Sequence, residues 1–190
     1  MKFKTRDMVL ISLFAALTAV GAFIQIPTPL VPFTLQFLFC AYSGIFLGAK
    51  HGLYSQLLYV GIGLVGIPIF TKGGGISYVL QPTFGYLLGF IGCAFIIGLF
   101  TERLQKITFT KILIPVLSGL AIVYLVGVPY LYFIVNRVAS TPISFVTAIK
   151  VGFIPYITSD LIFSILVALT SVKIIPVLRK AGYVALVRPK

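Results

Sequence analysis

Long apolar runs, broken by short polar or basic clusters, set the pattern along the 190 residues. The runs cover 8–26, 35–49, 53–70, 82–100, 112–135 and 151–172. A hydrocarbon core about 30 Å thick needs about 20 apolar residues as an α-helix. In lipid each backbone N–H and C=O must find its partner within the protein, which favours helices over irregular chain. The pattern therefore predicts an all-α membrane protein, a single integral domain over 1–190 with six transmembrane helices. The second run is the shortest. Only Ala49-Lys50-His51-Gly52 parts it from the third, so these two runs predict a tight helical hairpin.

Composition agrees. Apolar residues make up 59% of the chain and charged residues only 9%, against about 25% in an ordinary soluble domain. Too few charges remain to solvate a surface of this size, and the apolar content excludes disorder. Met1 to Asp7 is charged, but no small-residue cleavage site follows it, so 8–26 reads as a retained span.

Charge adds an orientation. Fifteen Lys and Arg face three Asp and Glu, for a net charge of +12. With the N-terminus in the cytoplasm, that side receives Lys2, Lys4, Arg6, Lys50, Arg103, Lys106, Lys111, Lys173, Arg179, Lys180, Arg188 and Lys190. The other side receives Lys72, Arg137 and Lys150. Such an asymmetry predicts N-in and C-in topology in the cell (cytoplasmic) membrane. The basic clusters also suit anionic lipid heads. A nucleic-acid partner would need the cations on one face among aromatics, and these alternate with apolar runs instead.

The outer loops are apolar and punctuated. One reads Ile26-Pro27-Thr28-Pro29-Leu30-Val31-Pro32-Phe33-Thr34. Another, Phe70 to Pro82, carries Gly73, Gly74 and Gly75, whose lack of a side chain permits close backbone approach to a ligand. Both suit segments folded over helix ends, although a Gly run equally suits a flexible turn. Within the spans, small residues recur at packing intervals: Ala15, Ala19 and Ala22 with Ala16 beside them, then Gly44 and Gly48, then Gly85, Gly89 and Gly92. Such stripes let helices approach closely in lipid. An outward-facing stripe would instead dock a second membrane protein.

Catalytic chemistry finds no equipment. There is no carboxylate pair, no GxxxxGK[ST] loop, and His51 is the lone histidine, so neither a metal site nor a cofactor is expected. Cys40 and Cys93 lie in apolar runs and read as packing thiols. Asp160 stands apart as the only acid inside a span. An ionisable group in lipid is costly and marks a functional site by default, the alternatives being a helix cap or a structural hydrogen bond. Gln36, Gln81, Thr83 and Tyr86 open their helices on the same outer side. With Phe33, Phe84 and Tyr156 they would form a mainly apolar pocket with a few polar anchors, the usual make-up of a small-molecule site.

Four segments, in order along the chain, carry a resemblance. They are Val31-Pro32-Phe33-Thr34-Leu35-Gln36, Gly66-Ile67-Pro68-Ile69-Phe70, Gln81-Pro82-Thr83-Phe84-Gly85-Tyr86-Leu87-Leu88-Gly89-Phe90 and Pro155-Tyr156-Ile157-Thr158-Ser159-Asp160. Together they resemble the BioY family, the biotin-binding S components of energy-coupling factor (ECF) transporters. The resemblance implies a six-helix S-component bundle that captures biotin from outside. It implies a membrane T component and two cytoplasmic ABC-type ATPases as partners, which answers the missing P-loop. It implies docking on the T component through Ala15 and Ala19, with Ala16 adjacent. The candidate substrate-binding set is Phe33, Gln36, Gly74, Gln81, Thr83, Tyr86, Tyr156, Asp160 and Phe163. Many relatives carry Asp-x-x-Lys on the sixth helix, where this chain has Asp160-Leu161-Ile162-Phe163. The pocket then takes biotin with other anchors, or takes a related small carboxylate or vitamin. A non-transport membrane protein, a small integral enzyme or an assembly factor, is the remaining class.

Overall fold

The computed structural model describes residues 4–28, 30–138 and 142–181. Lys2, Arg188 and Lys190 of the expected inner clusters, and Pro29 of the first outer loop, lie outside the described residues. Helix α1 spans Thr5–Phe23. A two-residue strand β1, Gln25–Ile26, pairs antiparallel with β2, Phe33–Thr34, in the register Gln25 to Thr34. This ribbon ends α1 three residues before the apolar run does. The Pro-rich loop is thereby held over the helix ends.

Helix α2, Gln36–Leu64, is broken at Gly48, where φ is 79° and ψ is −178°. The chain reverses there. Gln36 Nε2 donates to Tyr59 Oη at 2.8 Å, and Gln56 Nε2 donates to Ser43 Oγ at 3.2 Å, so limbs 36–47 and 49–64 run antiparallel. The expected hairpin exists, with its corner at Gly48 rather than within Ala49 to Gly52. Positive φ favours glycine strongly, because an L side chain there meets its own carbonyl. The opening of the second limb is capped from another helix: Glu102 Oε1 accepts from the Ala49 N–H at 2.9 Å. The anion suits the positive end of a helix. The third apolar run stops being helical at Leu64. Gly66 adopts φ 119° and Pro68 follows, so 65–70 fold into a turn closed by Phe70 and Gly73.

A short 3₁₀ segment, Ile76–Leu80, leads into α3, Phe84–Thr101. Helix α4 covers Phe109–Val138. At 1.5 Å per residue its 30 residues reach about 45 Å, more than a hydrocarbon core of about 30 Å, so it tilts or projects. Helix α5, Phe145–Gly152, is separated from α6, Ile154–Lys180, only by Phe153. The break precedes Pro155, which sits in the first turn of α6 where its missing N–H costs nothing. The sixth run thus begins on one helix and continues on another. Helices α1, α3, α4 and α6 are long and apolar enough to cross a membrane.

The helices pack in series, α1 on α2, α2 on α3 and α3 on α4, with α6 closing against α4 and α2. The glycine line on α3 serves this packing. A Cβ on Gly89 would lie 2.8 Å from the Val123 Cα of α4, so only glycine lets the backbones meet this closely. Ala15 and Ala19, expected at a partner interface, are buried against this chain's own hairpin. Ala16 alone of the three is exposed. The physical reason is helical phase: 15 and 19 share a face, and Ala16 lies about 100° round from Ala15.

Candidate functional site

One end of the bundle carries the Gly48 corner, Glu102 and the basic residues Lys50, Arg103, Lys106 and Arg179. Arg179 is tied there by its Nη2 donating to the Leu104 carbonyl at 3.0 Å. The opposite end gathers the β1–β2 ribbon, the start of α3 and the start of α6. There a cavity of about 60 Å³ lies among the first outer loop, α2, α3, α4 and α6.

Asp160 projects from α6 into this cavity. Tyr124 of α4 donates its hydroxyl to Asp160 Oδ2. Among the described residues no cation pairs with Asp160. No donor among the described residues bonds its other oxygen, Oδ1. A carboxylate so placed accepts hydrogen bonds and donates none. The Tyr124 ring is wedged edge-on against Phe153, with centroids 4.7 Å apart at 86°. The hydroxyl is therefore aimed by packing as well as by its bond.

The other wall is a hydroxyl and amide arc. Thr71 Oγ1, Tyr78 Oη and Thr83 Oγ1 form a chain with 2.9 Å links. Gln36 receives the Thr34 hydroxyl at 3.1 Å on Oε1 and donates to Tyr59 through Nε2, which keeps one N–H in reserve. Between the two poles the surface is apolar, from Val31, Phe37, Leu87, Phe90 and Val123. The Pro-rich loop is latched over the cavity. Tyr156 donates its hydroxyl to the Val31 carbonyl and lies 2.8 Å from Thr28 Oγ1.

Six of the nine expected binding residues line this cavity: Phe33, Gln36, Thr83, Tyr86, Tyr156 and Asp160. Tyr86 offers its ring only, since its hydroxyl is spent on the Gly152 carbonyl at 2.8 Å. Three residues do not line it. Phe163 lies behind the wall and stacks on Phe33, with centroids 5.9 Å apart at 25°. Gln81 closes the 3₁₀ segment, its N–H donating to the Tyr78 carbonyl at 2.9 Å, and does not reach the cavity. Gly74 packs on the Ile67 carbonyl, where a Cβ would come within 2.8 Å of the Ile67 carbonyl carbon, so its smallness serves the turn rather than a ligand. Phe84 turns away against Tyr130. Tyr124, like Thr71 and Tyr78, is a site residue that the sequence does not single out. A hydroxyl within an apolar run is its only signal, and Ser118 and Tyr130 share that signal.

The profile of the BioY family matches residues 1–180. A relative from Lysinibacillus sphaericus described as "Probable biotin transporter BioY" is 48% identical over 184 residues, covering 97% of this chain and 94% of the relative. A "Biotin transporter BioY" from Thermotoga maritima is 39% identical, over 89% and 95% of the two chains. Among solved structures, the crystal structure of "the S-component for biotin from an ECF-type ABC transporter" superposes with a TM-score of 0.77. The two are 26% identical, over 94% of this chain and 95% of that one.

Proposed function

The chain belongs to the BioY family, and from that premise we propose that it is the membrane subunit that captures biotin from outside the cell for an ECF transporter. It is a multi-pass protein of the cell membrane and not an enzyme. Its work is to bind and release, and on this reading it needs no cofactor of its own. The single observation that carries the reading is the Asp160–Tyr124 pair, one carboxylate oxygen held by the phenol at the wall of a mainly apolar cavity.

Such a pair suits a neutral ligand group with N–H donors. A cyclic urea is of that kind, and its ring can lie on the apolar wall while its N–H groups meet Asp160. The Thr71, Tyr78 and Thr83 hydroxyls and the spare Gln36 N–H are then the donors for the ligand's carboxylate. The cavity sits at the cation-poor end of the bundle, which the charge rule places outside. Phe163, where relatives carry a lysine, works indirectly. It backs Phe33, a cavity wall, and leaves Asp160 to meet the ligand without a charged neighbour.

Release into the cell then depends on other chains, a membrane T component and two cytoplasmic ABC-type ATPases. The test is equilibrium binding of biotin to the purified chain without ATP. Saturable, tight binding supports the reading. Binding of a close carboxylate analogue but not of biotin would transfer the site to that ligand.

A further inference from the structure

The outer cavity is lined by one acid and no cation. Among its described lining residues Asp160 is the only acid, and Lys, Arg and His are absent. Lys72 follows the lining residue Thr71, but it is exposed and takes no part in the wall. On the biotin reading, the ligand's cyclic urea meets Asp160 and its carboxylate meets the far pole. Two negative groups then share a mainly apolar space with no cation between them. The make-up of that far pole decides which tails the site accepts.

The far pole is built from neutral groups. Thr71 Oγ1, Tyr78 Oη and Thr83 Oγ1 form a chain in which either atom of each 2.9 Å link can be the donor. Three hydroxyls carry three protons and their two links use two, so one O–H is free to donate while lone pairs remain to accept. Gln36 adds the N–H left over from its bond to Tyr59. A guanidinium or an ammonium only donates, and has nothing to offer a tail that carries N–H groups. This arc does both. Its O–H and N–H reach the two oxygens of a carboxylate. The same donors reach the C=O of a carboxamide, and a hydroxyl lone pair accepts its N–H.

Three effects set the balance between the two tails. Hydrogen bonds to an ionised acceptor are roughly twice as strong as neutral ones, which favours the carboxylate. Desolvation opposes it, because a charge costs far more than an amide to bring into apolar surroundings. Asp160 opposes it as well, as a like charge within the same low-dielectric space. With no cation in the wall to tip the balance, charge on the tail confers little advantage. Resting on the biotin reading above, we propose that the far pole does not select for charge, and that the site takes the primary carboxamide of biotin, a neutral tail of the same shape, as well as the free acid. Specificity then lies at the Asp160 pole, with the cyclic urea.

The test is equilibrium binding of biotin and of biotin carboxamide to the purified full chain, without ATP. The carboxamide should bind within about tenfold of biotin, whereas a tail anchored by a cation would lose more than about tenfold with its charge. Lys72→Gln should leave the ratio of the two affinities as in wild type. Thr83→Val, which removes one hydroxyl of the arc at nearly constant shape, should weaken both ligands by similar factors. A carboxamide weaker than biotin by more than about tenfold would overturn the proposal and leave the biotin reading intact. A fall confined to biotin, in Thr83→Val or in Lys72→Gln, would also overturn it, because the arc or the lysine would then be selecting the charge. No binding of either ligand to wild type would overturn both this proposal and the biotin reading.

Discussion

Tyr124 on α4 and Asp160 on α6 meet across the wall of the outer cavity, the phenol donating to one carboxylate oxygen. Two residues 36 positions apart in sequence thus join two helices at the one acid within a span. A hydrogen bond to a charged group contributes about 1.5–3 kcal/mol, and a ligand that uses Asp160 depends on how that group is held. Tyr124→Phe keeps the ring on Phe153 and removes only the donor. Biotin affinity measured by titration calorimetry should fall by roughly 10- to 100-fold, while the thermal midpoint stays within a few degrees of wild type. Unaltered affinity would show that the bond is structural.

Phe163 and Phe33 make the second contact that distinguishes this site. A stacked aromatic pair adds about 0.5–1.5 kcal/mol beyond its buried area. Phe163→Ala should loosen Phe33 and raise the biotin dissociation rate by up to roughly tenfold. Association should change little. If the off-rate in stopped flow is unchanged, Phe163 is not a support for the cavity wall.

The fold was largely readable from the spacing of apolar runs, and the site was readable in part. Asp160 declared itself, because an acid in lipid has no bland use. Gln81 and Gly74 misled for a shared reason. Both sit in a loop of polar and small residues, and the backbone needs of the turn at 65–75 and of the 3₁₀ segment consume them. Tyr124 stayed hidden because only packing selects it from the other hydroxyls of its helix. The Gly48 corner was foreseen within a few residues, but its cap was not. Glu102 lies 53 positions from Ala49, and no local pattern links an acid at one helix end to the N–H of another.

That corner can be tested for stability. Gly48→Ala forces a side chain into positive φ, which costs about 1–2 kcal/mol before its collision with Glu102 is counted. Glu102→Gln weakens a helix cap, where losses are typically about 1 kcal/mol. Thermal unfolding in detergent should rank them with Gly48→Ala the more damaging. The reverse order would mean that the cap, and not the glycine, fixes the hairpin.

Burial redraws the expected docking stripe on α1. Ala15 and Ala19 face the α2 hairpin, so Ala15→Trp and Ala19→Trp should lower the thermal midpoint and biotin binding together. Overpacking of this kind costs about 1–3 kcal/mol or more. Ala16→Trp is on the outward face and should leave binding intact. In cells with the partner subunits, it should reduce biotin uptake if α1 is the docking helix. Normal uptake with Ala16→Trp would move the interface off this face.

The central claim is that Asp160 receives the N–H groups of biotin at the outer cavity. The most direct measurement is equilibrium binding of biotin to the purified wild-type chain and to Asp160→Asn, without ATP. The account predicts saturable, tight binding by wild type and, on loss of a charge-assisted bond, a fall of roughly 10-fold or more in the variant. Equal affinity in the two proteins, or no binding by either, would contradict it.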